Sequence, residues 1–157
     1  GPPAQSLSME PTDPKVMKSP PRDPDENIIS KEMVLRIAFI SFIMFIGTLT
    51  LFRWQLLNGA TEAKARTMAF TVFVMFKMFD AFNCRSEDKS LFSIGVFTNK
   101  YVIMAVLGAA LVQVAAVHVA IFQSVFGTVG LGLSDWVLIF GIASTAFFAD
   151  EIRKRVV

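Results

Sequence analysis

Apolar residues along this chain come in four blocks separated by polar stretches: Met33–Phe52, Thr67–Phe82, Tyr101–Phe126 and Trp136–Ala149. A membrane-spanning helix needs about 20 mostly apolar residues, with roughly 17–25 tolerated. The first and third blocks reach that length, and no charge interrupts the third between Lys100 and Asp135. The second and fourth are shorter and require polar ends or a surrounding bundle. The pattern predicts an all-α membrane protein built on four transmembrane helices.

The polar stretches carry start and stop signals. Ser30 ahead of Lys31-Glu32-Met33 reads as a helix N-cap with an acidic first turn. Gly47 marks a close-packing point in the first span, Asn58-Gly59 a turn, and Thr61–Arg66 the lead into the second span. A polar loop joins Asn83 to Lys100, its apolar half expected along the membrane surface. In the third span, Gly108-Ala109-Ala110 and Ala115-Ala116 invite close helix approach. Phe126–Leu133, with three glycines, reads as a far-side loop, and Ser134-Asp135 as the cap of the last helix. That helix ends at Asp150-Glu151, and with Arg153 to Arg155 its end is expected to be solvated. Before the first span, Pro2, Pro3, Pro11, Pro14, Pro20, Pro21 and Pro24 predict an extended segment, because each lacks an amide donor and disfavours helix before it.

Composition agrees with the membrane reading: 157 residues, 54% hydrophobic, mean hydropathy +0.55. The net charge of +2 is uninformative, but its placement is not. Lys15, Lys18, Arg22 and Lys31 precede the first span, Arg85, Lys89 and Lys100 lie in the third polar stretch, and Arg153, Lys154 and Arg155 follow the last span. Gln123–Ser134 has no basic residue. By the positive-inside rule both termini face the cytoplasm, and the distribution is not a nucleic-acid footprint. Cys84 is the sole cysteine, which excludes an internal disulfide and a cysteine-based metal site. With no initiator Met and no signal peptide, the chain reads as starting partway through a longer protein. Phosphate-cradling glycine loops, His-rich metal motifs, nucleophile elbows and dinucleotide fingerprints are all missing from the sequence.

Candidate chemistry centres on Lys77 and Asp80, inside the second block. Ionisable groups in a span usually face a bundle interior and mark an ion path or a pair. Three residues apart on a helix, the two share a face and can pair. Lys77 reads as a counter-charge in an ion site, as Asp80's structural partner, or as a snorkelling side chain. Asn83 continues the same helix end. His118 and Gln113, in the third span, are speculative relay or ligand residues, a packed histidine being the commoner case. Trp54 and Trp136 read as interfacial anchors.

Several segments resemble the C-terminal membrane domain of P-type calcium pumps, nearest the secretory-pathway calcium/manganese branch. The resemblance rests on Gly1-Pro-Pro-Ala-Gln-Ser-Leu, Glu10-Pro11 and Val16-Met17-Lys18-Ser-Pro20-Pro21-Arg22. It continues through Gly47-Thr48, Thr67-Met68, Met78-Phe79, Lys89-Ser90-Leu-Phe92, Thr98-Asn99-Lys100, Phe122-Gln123-Ser124, Ser134-Asp135 and Glu151-Ile-Arg153-Lys154. It implies that residues 1–30 are the end of transmembrane helix six and a Pro-rich cytoplasmic loop, and residues 31–157 helices seven to ten. The loop, through Asp13, Lys15, Lys18 and Arg22, resembles the one that touches the phosphorylation domain and is the candidate coupling element.

The phosphorylated aspartate, the nucleotide domain and the main ion ligands of this family lie upstream. No catalytic residue is therefore expected in this stretch, and no cofactor bound by it alone. For the parent the resemblance implies an ATP-driven pump using Mg-ATP, with calcium or another cation transported. The implied partners are the lipid bilayer, the upstream helices and the phosphorylation domain, in a plasma or secretory-pathway membrane. Lys77 falls where sarcoplasmic-type pumps carry a calcium-ligating Glu and secretory-type pumps an Asp; Asp80 falls on a family Asn that is acidic in sodium pumps. An ammonium is donor-only, so Lys77 is expected to fill an outer ion site with fixed charge. The alternatives are a sodium, proton or manganese pump, or a free-standing four-helix assembly or regulatory subunit.

Overall fold

The computed structural model describes residues 5, 31–85, 95 and 98–156. The expected Ser30 cap and the expected coupling residues Asp13, Lys15, Lys18 and Arg22 lie outside them, as does most of the loop expected between Asn83 and Lys100. Five helices form among the described residues: α1 (Lys31–Leu57), α2 (Glu62–Asn83), α3 (Lys100–His118), α4 (Ala120–Phe126) and α5 (Leu133–Val156).

α1, α3 and α5 are each long and apolar enough to cross a membrane. Their apolar side chains point outward as well as inward: Leu35, Phe42 and Phe45 on α1, Leu107 and Leu111 on α3 and Val137 on α5 are exposed. A helix apolar on all sides suits lipid, where water gives no reason to turn a polar face outward. α2 is the exception to the four-block expectation. At 22 residues it is about 33 Å long, enough for a bilayer core, but Arg66, Lys77 and Asp80 lower its hydropathy. Packing explains how it can be so. α2 lies against α1, α3 and α5 together, and Met68, Val72 and Phe76 are wholly buried among them.

Gly47 serves as the close-packing point the sequence suggests. A Cβ there would lie 2.8 Å from Phe76 Cζ and 3.4 Å from Ile142 Cγ2, so its absence lets α1 seat on α2 and α5. Gly108 does not play that part, since a Cβ on it would meet open space; its neighbours Ala109 and Ala110 do pack on the core. The α1–α2 turn uses Gly59 at φ +77°, and the Thr61 hydroxyl accepts the Lys64 amide to cap α2.

The third apolar block is not one helix. It breaks at Val119, whose backbone is extended, between α3 and α4. A break inside an apolar segment strands carbonyls. Here Gln123 Nε2 donates to Val117 O at 2.6 Å, and the Thr128 hydroxyl donates to Ala116 O. α4 ends in left-handed Gly127. α5 begins at Leu133, ahead of the expected Ser134-Asp135 cap; Asp135, in its first turn, reaches back to accept the Gly132 amide at 2.9 Å and pairs with Lys64 at 3.0 Å, tying α5 to α2.

The bundle has a turn end, carrying the 58–61 turn and the 127–132 loop, and a terminal end, where α1 begins and α2 and α5 finish. At the terminal end, buried Arg85 donates to Gly95 O at 2.9 Å and to the Thr98 hydroxyl at 2.6 Å, and Asn99 caps α3 by accepting the Tyr101 and Val102 amides.

Candidate functional site: a charged cluster at the terminal end

α1, α2 and α5 bring their charged residues together at one level. Arg36 lies little more than a turn into α1, Asp80 one turn before the end of α2, and Asp150 near the end of α5. The Arg36 guanidinium takes both carboxylate oxygens of Asp150, Nε to Oδ1 at 3.3 Å and Nη2 to Oδ2 at 3.2 Å. The same Nη2 lies 3.8 Å from Asp80 Oδ1 and 3.5 Å from Cys84 Sγ. Asp150 is fully buried and also holds Arg153 at 2.8 Å and Lys154 at 3.7 Å. Lys154, its side chain 1% exposed, reaches Glu151 at 3.7 Å and donates to Asn83 O at 2.9 Å, closing the end of α2.

This corrects the expectation of a solvated helix end. Asp150 and Glu151 are buried, and their charge is balanced by Arg36, Arg153 and Lys154. Isolated buried charges cost several kcal/mol each, and pairing with hydrogen bonds is what makes the burial tolerable. The signal was present in the sequence: a lone Arg just inside the first span and an acid at the matching depth of the last.

A Lys77–Asp80 ion pair, one of the three readings the spacing left open, does not form among the described residues. Asp80 is turned toward Arg36, while the Lys77 ammonium lies over the Phe73 ring, 5.8 Å from its centroid. The two still share a cavity of about 180 Å³ lined by Arg36, Ile37, Ile40, Ser41, Lys77, Asp80 and Cys84. Lys77 also borders a larger groove between α1 and α2, about 420 Å³, lined by Met44, Phe45, Thr48, Leu49 and Phe73 among others. The Thr48 hydroxyl is buried with no hydrogen-bond partner among the described residues. Asn83 donates its amide to Phe147 O at 3.3 Å, and its buried Oδ1 has no partner among the described residues. Loss of solvent around the Cys84 sulfur and the nearby Asp80 charge push its thiol above its ordinary value, with Arg36 opposing.

The third-span candidates have structural work. Gln113 is buried and donates to the Thr71 hydroxyl at 3.0 Å; Thr71 in turn donates to Thr67 O, and Thr67 accepts the Val129 amide. This polar seam joins α2, α3 and the 127–132 loop. His118 stands at the α3 break, exposed, its ring stacked on Trp136 and its Nε2 accepting from the indole at 3.4 Å. Among the described residues no group of three or more His, Cys, Asp or Glu could hold a metal ion.

The fold and cluster define a class: a helical membrane unit with charged groups from three helices gathered at one end. The particular family follows from comparison. Residues 1–156 match the family described as cation transporting ATPase, C-terminus, and the chain belongs to it. It is 42% identical over 154 residues to calcium-transporting ATPase 1 of Schizosaccharomyces pombe, and 43% identical over 155 residues to calcium-transporting ATPase 1 of Saccharomyces cerevisiae. To the calcium-transporting ATPase type 2C member 2 of Mus musculus it is 39% identical over 156 residues. Each alignment covers 98% of this chain, but the chain spans only 16–17% of the length of these relatives.

Proposed function

We propose that this chain is the C-terminal membrane part of an ATP-driven calcium pump, contributing Lys77 and Asp80 to the ion pathway. The observation that carries this reading is the cavity on α2. α2 packs against three other helices, and its Asp80, half-buried, and Lys77, exposed, both line that cavity with Ser41. Charges so placed are expensive and mark transport routes more often than scaffolding.

Lys77 acts as a fixed counter-charge. With no bond to Asp80, its ammonium occupies by charge what a carboxylate would offer to a second cation. Asp80 supplies the anionic oxygen, and Asn83, three residues on, adds a carbonyl oxygen with no partner among the described residues. Both termini face the cytoplasm, so the charged cluster sits at the cytoplasmic end. The coupling loop expected within residues 1–30, with Asp13, Lys15, Lys18 and Arg22, passes motion from the phosphorylation domain. In the intact protein, ATP hydrolysis proceeds through an aspartyl-phosphate carried upstream.

The test is cation-stimulated ATP hydrolysis by the intact protein across calcium, manganese and sodium, with Lys77→Glu alongside. The expected result is calcium stimulation, with Lys77→Glu changing ion affinity or the number of ions bound per cycle. Unchanged affinity and stoichiometry in Lys77→Glu would remove Lys77 from the pathway.

A further inference from the structure

Arg36 stands between two carboxylates and treats them unequally. Asp150 takes one edge of the guanidinium bidentately, Nε and Nη2 at 3.2–3.3 Å, while Asp80 is approached by Nη2 alone at 3.8 Å. Asp150 is fully buried, and the two oxygens that Arg36 takes are also held by Arg153 and approached by Lys154. Asp80 has more freedom: its side chain is 23% exposed and lines the cavity shared with Lys77 and Ser41. A guanidinium that holds one carboxylate through two adjacent N–H groups has its plane and direction fixed by that bidentate pair.

We propose that Arg36 and Asp150 are positioning residues for Asp80: Asp150 sequesters the guanidinium, so Asp80 remains an open anion facing the cavity. This deepens the pump reading and rests on it. Without Asp150's two oxygens, nothing among the groups described at this level competes as well for the fork, and Arg36 closes onto Asp80 as an internal cation. Asp80 is then occupied before a transported ion arrives. Without Arg36, Asp80 loses a nearby positive charge, while Asp150 keeps Arg153 and Lys154 as partners.

The two losses therefore act in opposite directions, which a mere structural latch does not do. In the intact protein, measured by calcium-stimulated ATP hydrolysis, Asp150→Asn raises the half-maximal calcium concentration about fivefold at retained maximal turnover. Arg36→Gln lowers it by a few-fold, and the double variant Arg36→Gln/Asp150→Asn loses the defect of Asp150→Asn. In an Asp80→Asn background neither change moves calcium affinity. Weakened calcium affinity in Arg36→Gln, or a double variant as impaired as Asp150→Asn, would overturn the proposal. Should Asp150→Asn fail to assemble, Arg36→Gln with and without Asp80→Asn decides by itself. If wild type hydrolyses ATP without response to calcium, manganese or sodium, the pump reading has failed instead.

Discussion

Gly47 offers a test of whether α1 truly seats on α2 through the absence of a single side chain. A methyl added there falls 2.8 Å from Phe76 Cζ and 3.2 Å from Cε2. Carbon atoms in good contact sit about 3.5–4.0 Å apart, so the ring must retreat by at least about 0.7 Å for Gly47→Ala. Phe76 has nowhere to go, being wholly buried with Met68 and Val72 in the same cluster. Overpacking of this kind costs about 1–3 kcal/mol. Against it stands the better helix propensity of Ala, worth about 0.5–1 kcal/mol. The net expectation is a loss of about 1–2 kcal/mol, which in a domain of this size lowers the apparent melting temperature by about 3–6 °C.

The informative comparison places Gly47→Ala in a Phe76→Leu background. Phe76→Leu alone destabilises by leaving a cavity, but the methyl then has room, and Gly47→Ala should be neutral or stabilising there. The sign reversal is the signature, read as detergent-solubilised thermal stability of the four proteins in parallel. A Gly47→Ala protein that melts at or above wild type would refute the close approach. So would a penalty that persists unchanged once Phe76→Leu has emptied the space.

Other outcomes follow from the same contacts. Thr71→Ala strands the buried Gln113 amide and should cost about 1–2 kcal/mol, whereas Gln113→Leu leaves Thr71 bonded to Thr67 O and should cost less; thermal stability ranks the two. The Cys84 thiol, raised by loss of solvent around its sulfur and by Asp80, should alkylate more slowly than a free cysteine between about pH 7 and 9, since less of it is thiolate. Arg36→Gln removes an opposing charge and should slow that labelling further, as followed by mass spectrometry of the Cys84 peptide.

Residue type and order were enough to reveal most of the helices, the Gly47 packing point, the 58–59 turn and the Asp135 cap. Each depends on neighbours within a few positions: apolar runs, a glycine, an acid at a helix start. Family membership was legible for the same reason, because short motifs spread over the chain carry it. The break at Val119 was not. It is permitted by Gln123 and Thr128 reaching back to Val117 and Ala116, and apolar length alone gives no sign of that repair.

The sequence also placed Lys77 and Asp80 on one helix face, which left a pair between them as one of three open readings. Tertiary structure decided against that pair, since Arg36 comes from an earlier helix, α1, and Asp150 from the last one, α5. Burial of the α5 end had the same origin: Asp150 and Glu151 look solvated until α1 and α2 close over them. Local chemistry fixes where a helix runs and what it carries. Which charges meet depends on long-range packing, because the cost of an unpaired buried charge arises only after the helices assemble.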